Sequence, residues 1–154
     1  MTAVMFQEEL CRELERIFEG SIFKDSTGKY GKIKVYEQNL PIPESDDEPD
    51  PAPYIIVRLE SGKTETGVDP QEVEVTLIIN YFDDSMKNSG HKGVLGIIQK
   101  IYERFEKEPI LEGGYYFMDP FEWALQDEPS FPNFIGVAGM TFGISAIRRE
   151  SEYA

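Results

Sequence analysis

Two stretches of the chain carry apolar side chains at the spacing of an amphipathic helix. The first, residues 3–19, places Thr2 where a helix cap is expected. The second, residues 90–107, has Ser89 as its predicted cap and is ended by Pro109. The apolar stripes comprise Phe6, Leu10, Leu14, Ile17 and Phe18 in the first helix and Val94, Leu95, Ile97, Ile98, Ile101, Tyr102 and Phe105 in the second. Each helix therefore has one face to bury.

Strand-like patterns occupy most of the remaining chain. The predicted strands are 32–37, 54–60, 72–82, 115–125 and 134–147. Residues 72–82 give the clearest pattern, since Val73, Val75, Leu77, Ile79 and Tyr81 fall on one face. Pro120 interrupts the fourth strand and predicts an edge position or a bend. Glycines at positions 136, 139 and 143 predict a bulge or close packing in the last strand.

This order of elements, α-β-β-β-α-β-β, predicts an α+β fold. We expect one domain over residues 1–154, with an antiparallel sheet of four to five strands and both helices packed on one face. Residues 54–60 and 72–82 are expected to pair as an antiparallel hairpin, joined by a polar loop that ends in Gly67-Val68-Asp69-Pro70.

The composition changes abruptly at residues 38–53. This segment holds five prolines and five acidic residues and has no basic residue. Proline removes backbone donors and the like charges repel one another, so the segment is predicted to be an extended, mobile loop. Its acids are Glu44, Asp46, Asp47, Glu48 and Asp50. They lack the alternating ligands and the central glycine of a calcium-binding loop, so we predict no defined metal site there.

The overall charge excludes several classes of function. The formal net charge of -14 disfavours a broad basic surface for DNA, RNA or anionic lipid, so neither nucleic-acid nor membrane binding is expected. No run approaches the roughly 18 apolar residues that a membrane helix needs. The single cysteine, Cys11, excludes an internal disulfide and any site with several cysteine ligands, and is predicted to be buried and inert.

The candidate catalytic motifs are weak. Gly90, Gly93 and Gly96 stand before and within a helix, but their spacing matches neither a dinucleotide-binding motif nor a P-loop. The single histidine, His91, lies two residues from Ser89, a separation that does not bring two side chains together at a helix start. We therefore predict no catalytic residue, no cofactor, no metal and no enzymatic activity.

An aromatic concentration near the C-terminal hairpin has two interpretations. Trp123, Phe117, Phe121 and Phe131 either pack in the core or form part of an exposed contact surface, since aromatic residues are enriched in interface cores.

Three segments, with the first helix before them, carry a family resemblance: PYIIVRL, EVEVTLIINYFDDS continuing into NSGHKGVLGIIQKIYERF, and PFEWALQDEPSFPNFIGVAGMTFGI. Over residues 54–147 the chain resembles the small tail terminator or tail-completion (neck) proteins of long-tailed bacteriophages. The resemblance implies a homo-oligomeric ring, often a hexamer, that caps the tail tube and docks to the head-connector proteins. It implies no catalysis, and it places the protein in the bacterial host cytoplasm during assembly and then in the virion. The alternative hypothesis is a small acidic adaptor or inhibitor domain that binds another protein.

A ring requires two different contact patches on one chain. The candidates are the loop from Asp83 to Lys92, and the long final strand with its neighbouring edge. The predicted interface residues are Asp83, Asp84, Ser89, Gly90, His91, Lys92, Phe134 and Phe142.

Overall fold

The computed structural model describes residues 2–64 and 71–144. Two helices and seven strands follow one another along these residues. They are α1 (Ala3–Ile17), β1 (Phe23–Lys24), β2 (Tyr30–Gly31), β3 (Lys34–Glu37), β4 (Tyr54–Lys63), β5 (Gln71–Phe82), α2 (His91–Lys107), β6 (Tyr116–Leu125) and β7 (Asn133–Ile144). The α+β class is confirmed, and the predicted order is found once the small β1–β2 hairpin, which the sequence pattern missed, is set aside. The predicted loop at 67–70 and the end of the last predicted strand, 145–147, lie outside the described residues.

Five of the strands form one sheet in the order β3-β4-β5-β7-β6. Its pairings are antiparallel except that β3 runs parallel to β4, with Lys34 opposite Tyr54. The fully antiparallel sheet expected from the sequence is therefore corrected at this one pair. Residues 38–53 supply the physical reason, since a parallel connection needs about a dozen residues or more to return to the starting end of the sheet.

Both helices pack on the same face of this sheet, as predicted. The centre of β5 contributes a row of buried side chains to that face, and α1 and α2 lie against it. The buried residues of this core include Phe6, Leu10, Leu14, Val73, Val75, Leu77, Ile79, Val94, Ile97, Ile98, Ile101, Phe105, Ala138, Met140 and Phe142. Each large apolar side chain fully buried in this way stabilises the fold by about 1.5–3 kcal/mol.

The helix starts differ in how they are capped. Thr2 Oγ1 accepts a hydrogen bond of 3.1 Å from the backbone N–H of Met5, which confirms the predicted cap of α1. The predicted Ser89 cap of α2 is wrong, because the cap position is Gly90 and no side chain caps it. A side chain at Gly90 would collide with the ring of Phe134. Close packing of the helix start on β7 therefore determines the residue at this position.

The last two strands show the features that Pro120 and the glycines of β7 predict. β6 is an edge strand, and its register to β7 shifts between Met118 and Glu122, around Pro120. β7 pairs with β5 without a shift, and two of its three glycines, Gly136 and Gly143, serve close packing instead. A side chain at Gly136 would collide with Val94, and one at Gly143 would collide with Tyr116.

Among the residues that the structure describes, only one end of the opposite face of the sheet is covered. A second apolar cluster lies there, beneath the segment 38–53, which contains neither helix nor strand. Its buried members are Ala52, Tyr54, Ile56 and Phe82, with Tyr36, Leu40 and Ile78 packed against them. Residues 41–51 are all exposed, so this acidic segment covers the sheet mainly through its two ends.

Candidate assembly interface

The loop from Asp83 to Gly90 meets two other segments at one end of the sheet, and a third segment joins them there through Asn133. The backbone N–H of Asp83 donates to the carbonyl of Pro132 in the β6–β7 turn, at 2.9 Å. Lys24, in β1, donates to the Asp84 carboxylate at 2.9 Å. Asn133 Nδ2 donates at 2.9 Å to the carboxylate of Asp50, in the acidic segment. We call this region the loop end; its hydrogen bonds hold four segments of the chain in one surface.

The Lys24–Asp84 ion pair affects both partners but is exposed to solvent. The hydrogen bond from Lys24 lowers the pKa of Asp84, and the same bond raises the pKa of Lys24. The pair is present from the normal carboxyl range up to the pH at which Lys24 loses its proton, and it is lost as the pH falls through the lowered pKa of Asp84. Exposed pairs contribute little to stability, so this one chiefly orients the start of the 83–90 loop.

The structure brings several of the predicted interface residues together. Gly90 is packed against Phe134, and His91 is the exposed first residue of α2. His91 and Phe134 share the wall of a cavity of about 250 Å³ with residues of the β6–β7 turn. Asp84 and Lys92 are exposed, and Asp83 and Ser89 are half-buried at the same end. These residues lie at the loop end, beside Phe134 of β7.

Phe142 does not lie at the loop end. Its side chain is fully buried on the helix-covered face, where it contacts Phe6 with 4.9 Å between ring centroids and Phe105 with 5.4 Å. The predicted interface role of Phe142 is therefore wrong for the folded chain. Alternation within β7 places it on the same face as Ala138 and Met140, which are core residues, and the sequence pattern alone carried this information.

The aromatic residues of β6 and the following turn divide between the two interpretations. Phe117 and Phe121 pack against the core. Trp123 is 54% exposed and Phe131 is 45% exposed, so these two belong to the surface. Met86, at the tip of the 83–90 loop, is 92% exposed and was not singled out from the sequence. Its signal was a single apolar residue in the polar stretch DDSMKNSG.

Two buried polar groups away from this surface have structural roles. Glu13, on α1, accepts from Arg104 of α2 at 2.7 Å and from Arg16 at 2.6 Å, so it ties the two helices together. Gln7 donates to the carbonyl of Val57 at 2.8 Å and links α1 to the sheet.

Cys11 is buried, as predicted, and burial with the nearby Glu37 carboxylate raises the pKa of its thiol to about 12.

Within residues 2–64 and 71–144, no group of three or more His, Cys, Asp or Glu side chains is arranged to hold a metal ion. No helix in the same part of the chain is both long enough and apolar enough to cross a membrane. The sequence matches no protein-family model, and no curated protein matches it.

Proposed function

We propose that this chain is a non-enzymatic structural subunit that forms a ring with copies of itself, as a tail terminator or head–tail joining protein of a phage or prophage. The observation that carries the proposal is the presence of exposed apolar side chains at separate places on the surface. Trp123 lies on the edge strand β6, whereas Met86 lies at the tip of the loop before α2. A head-to-tail contact requires two unlike patches of this kind on one chain.

The charge of the chain predicts how assembly depends on salt. With a formal net charge of -14, copies of the free chain repel one another at low ionic strength. The repulsion acts over about 10 Å at 0.1 M salt and over about 3 Å at 1 M. Assembly should therefore strengthen as salt is added, and strengthen again when the end of a tail tube orders the subunits.

Light scattering across protein concentration and salt tests the proposal, together with binding to purified tail tubes that lack their cap. We expect Trp123→Glu to weaken both self-association and tube binding, since it places a charge in the contact. The matched control is Tyr30→Glu, because Tyr30 is also an exposed aromatic, 67% accessible, but lies on the small hairpin. A strict monomer at high concentration that ignores tube ends would contradict the proposal and favour an adaptor that binds another protein.

A further inference from the structure

The tip of the loop before α2 presents an apolar side chain on an ordered turn. The backbone N–H of Asn88 donates to the carbonyl of Ser85 at 3.2 Å, so Met86 and Lys87 occupy the two central positions of a tight turn. At the base of the loop, Asp83 Oδ1 accepts from the N–H of Ser85 at 2.9 Å. Because the turn is already formed, presenting Met86 to a partner costs little conformational entropy.

The loop end also contains an apolar cavity. It has a volume of about 250 Å³ and lies between the start of α2 and the β6–β7 turn. Val94, Leu125, Phe134 and Ile135 form its apolar wall. Small-molecule sites usually begin at roughly 300 Å³, so this cavity suits the side chain of a partner better than a free ligand.

Met86 does not enter the cavity of its own chain, since its side chain is 92% exposed. The base of its loop is tied to the β6–β7 turn by the hydrogen bond from Asp83 to the carbonyl of Pro132. One chain therefore carries both an exposed apolar side chain and a cavity that could receive one. A contact between the two joins two copies through unlike surfaces, as a head-to-tail assembly requires.

The charges around the cavity favour Met86 over the other highly exposed apolar side chain. Asp127 and Glu128 are exposed at the mouth of the cavity, and we call them the acidic rim. Lys87, next to Met86, is exposed, and its ammonium group has no partner among the described residues. Ile42 is 91% exposed but lies in the acidic segment, which has no basic residue, so the acidic rim would repel its surroundings.

The acids of the loop do not cancel this attraction. They stand at its base, where Asp84 accepts from Lys24 at 2.9 Å and Asp83 accepts from the backbone of Ser85. A contact between two loop tips would bring Lys87 against Lys87 and leave both cavities unfilled. A contact between two cavities would bring two acidic rims together. Only insertion of a tip into a cavity both fills apolar space and pairs opposite charges.

We propose that Met86 of one copy inserts into this cavity of a second copy, with Lys87 beside the acidic rim. The unbranched thioether side chain of methionine adapts readily to an irregular apolar space. Trp123 extends the receiving surface, because it lies two residues from Leu125 on the same face of β6. The inference rests on the proposed ring, and it names the residues through which one subunit receives the next.

Zero-length cross-linking identifies the contact in the unmodified chain. A carbodiimide joins an amine to a carboxylate that touches it, with loss of water. In an equal mixture of isotope-labelled and unlabelled chains, we expect Lys87 to be linked to Asp127 or Glu128 in peptides of mixed label, which form only between copies. An associating sample in which this mixed-label link is missing would overturn the insertion.

Substitutions at the tip measure its contribution. Met86→Glu places a carboxylate in an apolar cavity with an acidic rim, and Ile42→Glu makes the same charge change at an equally exposed apolar position. At one fixed ionic strength, we expect Met86→Glu to lower the association constant at least about tenfold relative to Ile42→Glu. Lys87→Glu should lower it about threefold relative to Lys107→Glu, at an exposed position of α2. Met86→Leu should stay within about threefold of the unmodified chain, because leucine has a similar volume.

The outcomes separate this inference from the proposed function. If the unmodified chain associates but Met86→Glu behaves like Ile42→Glu, the insertion is wrong and the ring remains. If the mixed-label link forms and Met86→Glu weakens association, but light scattering finds only a closed dimer, the insertion stands and the ring is wrong. A chain that neither associates nor binds tube ends would overturn both.

Discussion

The two faces of the sheet are closed in different ways, and neighbouring residues of β4 show the contrast. Ile55 points toward the helices and is fully buried in the main core, whereas Ile56 points the other way and is 5% exposed beneath the acidic segment. Two amphipathic helices cover the first face along its length. A segment without helix or strand covers one end of the second face and leaves side chains such as Ile78 and Val137 half-buried.

This difference separates the part of the molecule that stabilises the fold from the part that is available for contacts. The helix-covered face buries a large set of interdigitating side chains, which is the dominant favourable contribution to folding. The other face buries a small cluster and keeps its apolar and polar residues mixed. Contacts with other chains are therefore expected at the edges and the loop end, where a change costs little stability.

The largest expected effect is a charge placed under the helices. Leu14→Asp and Ile98→Asp each introduce a carboxylate into the main core without a partner. Each should lower the free energy of unfolding by about 4 kcal/mol or more, enough to unfold a marginally stable domain. Thermal or urea unfolding measures the loss. Glu15→Asp, at an exposed position of α1, is the control. Wild-type stability in either core variant would remove that residue from the core.

A smaller effect is expected from two variants that compare the two faces directly. Ile55→Ala and Ile56→Ala delete the same atoms from adjacent positions of one strand. We expect a loss of about 4 kcal/mol for Ile55 and about 2 kcal/mol for Ile56, because the covering segment can collapse into the space more readily than two packed helices can. Urea unfolding of the two variants measures the difference. Equal losses would mean that the acidic segment packs as firmly as the helices do.

Local opening gives a third measurement of the same contrast. Residues 41–51 are exposed and lie outside any helix or strand, whereas β5 is hydrogen-bonded on both sides. Amides of the segment 38–53 should exchange rapidly, and those at the centre of β5 should exchange only with global unfolding. Hydrogen exchange by NMR or mass spectrometry measures both in one sample. Strong protection throughout 38–53 would refute the predicted mobile loop.

The sequence predicted the two faces of the sheet unequally well. The helix-covered face came from periodicity: stripes in α1 and α2 and the alternation of β5 indicate burial directly. The prediction that Ser89 caps α2 failed, because the packing of Gly90 on Phe134 outweighs the local capping preference. The parallel β3–β4 pair also escaped prediction, because alternation within a strand says nothing about the direction of its neighbour.

The candidate surface was predictable only in part, for reasons particular to each residue. The glycines and polar residues of 83–92 indicated a loop in the sequence. In the structure this loop lies at one end of the sheet, beside Phe134. Trp123 lies on the edge strand β6, a position that the sequence indicated only as an edge or a bend.

The smallest effect concerns a single thiol. Cys11 is buried on the helix-covered face, so it should react with a thiol reagent at pH 8 only when α1 detaches from the sheet. Ile78→Cys, made in a Cys11→Ala background, should react at least about tenfold faster, because Ile78 is half-buried on the other face. Equal rates would show that the acidic segment closes its face as tightly as the helices close theirs.

The pH dependence of stability gives a second test of the burial of Cys11. Burial raises the pKa of Cys11 from 9.0 to about 12, so the folded chain keeps the thiol proton at a pH where the unfolded chain loses it. This contribution to stability is fully present below pH 9 and is lost as the pH rises toward 12. Cys11→Ala should therefore remove a slope of up to about 1.4 kcal/mol per pH unit from the unfolding free energy in that range. Parallel curves for the two proteins between these pH values would mean that the thiol is solvated and that α1 does not seal this face.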